Sequence, residues 1–440
     1  MKKLKKRKIS NPYFKARHRI FESTSPPLSG GSPKSLTQKL VSALFLIFIF
    51  FLPTQLGKHF FPPFSYINGI RVDYLSPTVY LTDVVVLFML FLNLKVVIHF
   101  FKNKKLIFCL ALLLISVFFA KDQMLALYRF VKIIEFLAVF SIARNLFGRI
   151  KEKTILVVFS LMGALQLGLA LFQLFYKQSI QGFFYFLGER LFSLSTPGIA
   201  KASLNGIEFL RPYGTFSHPN SLAGFFLLLY FFVLTYKNFN KYFLLKYLNL
   251  LIFSIIVFIS FSKVAILSFL MLNTLYFMLN TKIKCLPCKI TRLFIPVLLS
   301  LIFLQATTDP LTVEKRVELI KSSFSIISNS LFFGVGPGNY LIAQSGFVSK
   351  YKLFFNQPVH NIFLIFFSEV GLAVGGLITL FFLSWIKRLI KISPYLFLVV
   401  VLTGMFDHYW LTLQQNFLLV AVVYGSVSRA FFVDKLSLRS

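Results

Sequence analysis

Apolar stretches long enough to cross a bilayer recur about a dozen times along this chain, and Lys and Arg crowd into every second gap between them. A spanning helix needs roughly 20 largely apolar residues, because its backbone groups must be satisfied within the segment. Cytoplasmic connections collect Lys and Arg. The alternation therefore predicts an all-α, polytopic transmembrane bundle of about 12 helices, an inner-membrane protein. A net charge of +33 would suggest nucleic acid for a soluble protein. With 57% hydrophobic and 14% charged residues, and the surplus sorted to one side, no nucleic-acid partner is expected.

The predicted helices cover approximately 40–56, 78–100, 106–119, 124–143, 154–176, 219–236, 244–261, 264–280, 293–306, 360–386, 394–411 and 414–430. Starting in the cytoplasm, strict alternation places about 31 of the 47 Lys and Arg inside, together with both termini. Asp73, Asp122, Glu189, Glu208, Asp309, Glu314, Glu318 and Asp407 fall outside. Residues 1–39, basic and broken by a Ser/Pro/Gly run, read as a disordered cytoplasmic tail, and 434–440 as a second tail. The first apolar run is followed by no small-residue cleavage site. Cys109 reads as a small core residue. Cys285 and Cys288 have redox or zinc spacing but no second ligand pair nearby, so no metal is expected there.

Polar chemistry collects in segments predicted to lie outside. The stretches 177–218 and 307–359 are longer than unstructured connections usually are, and a polar turn surrounds Asp407. In the first, Arg211 leads through Tyr213 and Gly214 to His218, Pro219 and Asn220 at a helix start, where the histidine can simply be a cap. Arg211 has no obvious carboxylate neighbour except Glu208, and a guanidinium can fork onto a phosphate. In the second, Val313, Val317, Ile320, Phe324 and Ile327 mark one face of an amphipathic helix on the membrane surface. Its polar face carries Arg316, a weaker phosphate candidate. A glycine-rich run, Gly334 to Tyr340, lacks the Gly-Lys-Ser/Thr ending of a nucleotide loop and reads as turns with positive φ. His360 and Asn361 close the segment at the mouth of a helix. Lys263 lies in an outer turn. Arg129, Lys132 and Glu135 form a stripe within a predicted span, where ionisable groups usually face the bundle interior, although Lys132 and Glu135 can satisfy each other.

No Asp-x-Asp, Walker or Rossmann motif occurs. Basic and imidazole groups with few carboxylates suit a substrate already carrying a diphosphate leaving group, held by side chains and not by a metal.

In these residues the chain resembles the O-antigen ligases and O-antigen polymerases, lipid-linked polysaccharide transferases of bacterial inner membranes. The matching segments are Arg211 to Gly224, Ser262-Lys263, Phe333 to Tyr340, His360 to Leu364 with Gly371-Leu372, and Asp407 to Gln415. They run in family order across residues 40–430. The resemblance implies a glycosyltransferase-C-like domain over 40–433, with a long extracytoplasmic loop before the tenth helix. It also implies metal-free, cofactor-free, inverting transfer of a glycan from undecaprenyl diphosphate to an acceptor hydroxyl on a glycan, a lipid A-core-like molecule or a protein. By the same resemblance Arg211 corresponds to a diphosphate-binding arginine and His360 to the histidine that assists the acceptor. Lys263 stands where the family usually has arginine, keeping the charge but losing the fork. Arg316 completes the expected phosphate set, with His218, Asn220, Asn361, Arg129, Lys132 and Asp407 in support and membrane lipids around. Polymerase activity and transfer to protein remain open within the class. A flippase gripping the same diphosphate, or a structural membrane protein, are readings from other classes.

Overall fold

The computed structural model describes residues 36–280 except 205, residues 312–347 and 356–437, and isolated positions between 281 and 300. The predicted tail up to residue 35, Cys285 and Cys288, most of the apolar run 293–306 and residues 348–355 lie outside the described residues. The compact unit begins at Val41.

The chain is mostly helical. In order come α1 (Leu36–Phe51), α2 (Leu81–Leu92), α3 (Leu94–Phe101), α4 (Lys104–Phe118), α5 (Gln123–Leu146), α6 (Glu152–Tyr176), α7 (Pro219–Thr235), α8 (Phe243–Ile259) and α9 (Lys263–Asn280). After the undescribed stretch follow α10 (Thr312–Asn329), α11 (Tyr340–Gln344), α12 (Ile362–Val370), α13 (Leu372–Ile392), α14 (Pro394–Gly404), α15 (Tyr409–Thr412) and α16 (Gln414–Ser437). α16 thus continues into the segment predicted as a C-terminal tail. Among the described residues, three small antiparallel ribbons decorate the loops: β1 (Gly57–His59) with β4 (Thr78–Tyr80), β2 (Tyr66–Ile67) with β3 (Ile70–Arg71), and β5 (Lys201–Leu204) with β6 (Ile207–Leu210).

By length and composition, four described helices can cross a membrane: α6, α8 with the turn before it, α9 and α13. Counting α2 and α3 as one bent span raises this to five, against the twelve expected. The differences have local causes. The predicted span 78–100 bends by 88° at Asn93. The run 360–386 breaks at Gly371, whose φ is +83°. α1, α7 and α14 are short, and α5 carries Arg129, Lys132, Glu135 and Arg144 along its length.

α7 occupies the centre. Phe225, Phe226, Phe231 and Phe232 are fully buried, and the helix is covered on nearly every side, as an all-round apolar helix must be. Tyr409 lies against Gly224, so closely that a Cβ there would collide with its ring. This seats the short α15 beside the N-terminal half of α7. α5 and α16 form the most extensive helix pair.

The segments expected outside meet at one end of the bundle. The Pro53 carbonyl accepts from the Thr215 hydroxyl at 2.8 Å and from Gln415 Nε2 at 3.1 Å. Glu189, 3% exposed, accepts from Gln173 Nε2 and from the backbone N–H of Ile180 and Gln181, fixing the start of the long loop. The glycine-rich run also docks here. Asn339 accepts from the Asp122 N–H at 2.7 Å and donates to the Asp122 carbonyl at 3.0 Å, while Asp122 caps α5. Gly338, at φ +77°, lies directly against the Arg129 side chain.

In α10 four residues of the predicted apolar face, Val313, Val317, Ile320 and Phe324, are exposed, while Ile327 joins Leu319, Ser323 and Ile326 in the buried stripe. Arg316 precedes that stripe at spacing three, so it belongs to the inward side and not to a solvated face.

Candidate functional site

The site is assembled at the N-terminus of the central helix. The β5–β6 ladder pairs Lys201 with Leu210, and Arg211 extends it by donating its backbone N–H to the Ala200 carbonyl at 3.1 Å. The Arg211 side chain, 8% exposed, then turns inward. Its Nε donates to the Ser260 carbonyl at 3.0 Å and its Nη2 to Asn220 Oδ1 at 2.6 Å. Asn220 Nδ2 donates to Asp407 Oδ2 at 2.9 Å, and Asp407 Oδ1 accepts the His408 backbone N–H at 2.8 Å. An amide thus stands between a buried guanidinium and a buried carboxylate, its orientation fixed by both. Because the two charges do not fork onto each other, each keeps capacity for another partner. Burial pushes Arg211 down to about 10, which leaves it charged at neutral pH.

Three imidazoles share Asp407. The His360 and His408 ring centroids lie 5.4 Å apart at 64°, and Tyr74 packs edge-on against His408 from elsewhere, also at 5.4 Å. His408 Nδ1 and Thr412 Oγ1 are 2.7 Å apart. His218 caps α7, its Nδ1 accepting from the Asn220 N–H at 3.1 Å. Asn361 caps α12 by accepting from the N–H groups of Phe363 and Leu364, and its Nδ2 donates to the Met405 carbonyl. This aims His360 into the cluster, where its Nδ1 is buried without a hydrogen-bond partner.

Burial, together with His408 and Arg316, pushes His360 down to about 4 despite Asp407. Burial lowers His408 too. Burial pushes the Asp407 carboxyl up, but His408, His360, His218 and Asn220 together hold it below its ordinary value. The consequence has a definite sign. A base works in its neutral form, and His360 stays neutral until the pH approaches 4. If His360 is the base, the acid limb of kcat/KM in the free protein falls near pH 4; a limb at 6.5 or above would contradict the buried setting.

Positive charge exceeds negative here. Among the described residues Asp407 is the carboxylate acting on Arg211, and it shares His360 with Arg316. The Nε atoms of Arg316 and Arg129 are buried without partners. Arg129 Nη2 donates to the Tyr74 carbonyl at 2.9 Å, one residue removed from the histidines. Arg129 also lines a cavity of about 250 Å³ whose walls include Leu110, Leu113, Phe136, Phe366 and Phe417. A smaller cavity shares Arg129, Glu369, Leu411 and Thr412 with it and reaches Tyr74. An apolar space thus runs from the helix faces toward the polar cluster.

Of the residues singled out in the sequence, Arg211, His218, Asn220, Arg316, His360 and Asp407 converge, with Asn361 supporting His360. Arg129 joins through Tyr74. Lys132 does not: it pairs with Asp83 and, at 3.2 Å, with Glu135, while Gln414 Nε2 donates to Asp83 at 2.6 Å. That network satisfies its charge, much as the self-pairing alternative foresaw but with a third member 49 residues away. Lys263 does not either. It opens α9 with an exposed side chain, three residues past the Ser260 carbonyl that holds Arg211. Sequence reasoning missed His408, Tyr74 and Thr412. The four-residue spacing of His408 and Thr412 was a usable signal, since it sets both on one face of a helical turn. Tyr74 carried none. Among the described residues no group of three or more His, Cys, Asp and Glu is arranged to hold a metal ion. The chain matches no protein-family model and no curated protein.

Proposed function

We propose that this protein is a membrane glycosyltransferase of the O-antigen ligase kind, moving a glycan from undecaprenyl diphosphate to an acceptor hydroxyl on the extracytoplasmic side. In this reading the twelve apolar runs are spans of a bacterial inner membrane, with both termini cytoplasmic and the cluster around Asp407 near the outer leaflet. The exposed apolar face of α10 then rests on the membrane surface.

One observation carries the reading. Among the described residues, the buried Arg211 guanidinium and the buried, unpartnered Nε of Arg316 stand with one buried carboxylate, Asp407, beside an imidazole that has an unused ring nitrogen. Buried charges are expensive unless paired, so a site left short of counter-charge is suited to an anion that arrives with its substrate. A diphosphate fits, and Arg211 and Arg316 offer donors that need no reorganisation as charge builds on the departing oxygen. The adjoining apolar cavity suits part of a prenyl chain. His360 takes the proton of the attacking hydroxyl.

The direct test is purified protein in liposomes, supplied with undecaprenyl-diphosphate saccharide and an acceptor glycan, with product detected by mass spectrometry. Transfer is expected, with undiminished rate in EDTA. Movement of the intact lipid-linked saccharide between leaflets without transfer would instead make the protein a flippase.

A further inference from the structure

A single backbone hydrogen bond decides which nitrogen of His218 carries its proton. The Asn220 N–H donates to His218 Nδ1 at 3.1 Å. An amide N–H can only donate, so Nδ1 presents its lone pair and the neutral ring holds its proton on Nε2. Among the described residues no protein group is hydrogen-bonded to that nitrogen. The ring packs against Tyr213 at 6.1 Å, and Arg211, Asp407, His360 and His408 are the charged and titratable groups around it. A second proton would break the bond to Asn220. It would also place a cation beside Arg211 at the positive end of the central helix, a setting known to keep a catalytic imidazole neutral. Burial and Arg211 hold His218 near 3.

His408 has the opposite arrangement. The Thr412 hydroxyl donates to the His408 carbonyl at 3.1 Å, leaving Oγ1 to accept from His408 Nδ1–H. Its proton sits on Nδ1. The fold therefore assigns different tautomers to rings that sequence cannot distinguish.

The geometry points to His218 as a permanently neutral hydrogen-bond donor, through Nε2–H, to the diphosphate of the lipid-linked saccharide; this rests on the transferase reading above. In the step it serves, the acceptor oxygen bonds to the anomeric carbon while the bond from that carbon to the diphosphate oxygen breaks. The electron pair leaves on the diphosphate, and the acceptor's proton passes to His360. His218 keeps its own proton and shares it with the oxygen that gains charge. Two imidazoles thus divide the work: one takes a proton, the other only donates a hydrogen bond.

His218→Ser tests this, because serine preserves the helix cap while removing the imidazole donor. The expected result is turnover reduced about 10²-fold, as when one donor to a developing oxyanion is lost. Melting temperature should hold, lipid-diphosphate affinity should stay within about threefold, and the residual activity should keep the acid limb of the parent protein. Histidine-labelled protein in nanodiscs supplies a second measurement, the ¹⁵N signals missing from His218→Ser being those of His218. They should show a neutral, Nε2-protonated ring from pH 5 to 8. Turnover within threefold of the parent would overturn the donor role, and a ring that titrates in that range would overturn the neutral assignment. A parent protein with no transfer at all would overturn the underlying reading and the ligand with it, while the nitrogen signals would still decide the tautomer.

Discussion

His360→Ala is expected to lower transfer by about 10²–10⁴-fold, the usual contribution of a positioned acid–base group. Binding of the lipid-diphosphate saccharide should change by less than about threefold, since the imidazole is assigned to the acceptor's proton and not to the phosphate. Stability should change little. His360 Nδ1 has no hydrogen bond to lose, and the cap of α12 belongs to Asn361. Comparing turnover, donor affinity and melting temperature of the variant with those of the parent separates these effects. Unchanged turnover would remove His360 from the chemistry. A large fall in melting temperature would make it a packing residue.

Arg211→Ala should have the opposite profile. A hydrogen bond to a charged group contributes about 1.5–3 kcal/mol, so donor affinity should fall roughly 10- to 100-fold. Stability should fall as well. Arg211 ties the β5–β6 loop to the turn before α9 through Ser260 and to α7 through Asn220, and its loss leaves those acceptors unsatisfied at about 1–3 kcal/mol each. Arg211→Lys keeps the charge but cannot reproduce the fork, so it should recover only part of either loss. Titration with lipid diphosphate in detergent, alongside thermal melts, decides the matter. Lower stability with unaltered affinity would make Arg211 a structural tie and end its phosphate role.

The helices were largely legible in the sequence because each depends on its own residues. An unbroken apolar run forms a helix wherever it sits, so α6, α8 and α9 lie close to their predicted bounds. The runs 78–100 and 360–386 were each read as one helix because hydropathy does not register a bend at Asn93 or a left-handed residue at Gly371. The buried side of α10 was not legible for a related reason. Apolar periodicity identifies two candidate sides, and only the packing of α11 and α12 against Leu319, Ser323 and Ile326 chooses the buried one.

The candidate site divides in the same way. Residue type and position alone nominated Arg211, His218, His360 and Asp407, since cations and imidazoles concentrated in long loops are unusual in so apolar a chain. What the sequence could not rank is partnership. Lys132 and Arg129 differ by three positions on one helix and line the same cavity, yet Asp83 and Glu135 pair with the first, while the Nε of the second is buried without a partner. By itself, the sequence determined an apolar helical chain with its polar chemistry gathered in a few loops, because hydrophobicity and charge are properties of residues. Only the tertiary structure decided which charges stay uncompensated and which imidazole nitrogen holds a proton. Those depend on hydrogen bonds between positions far apart in the chain, 187 residues from Asn220 to Asp407 and 331 from Asp83 to Gln414, and no local pattern records them.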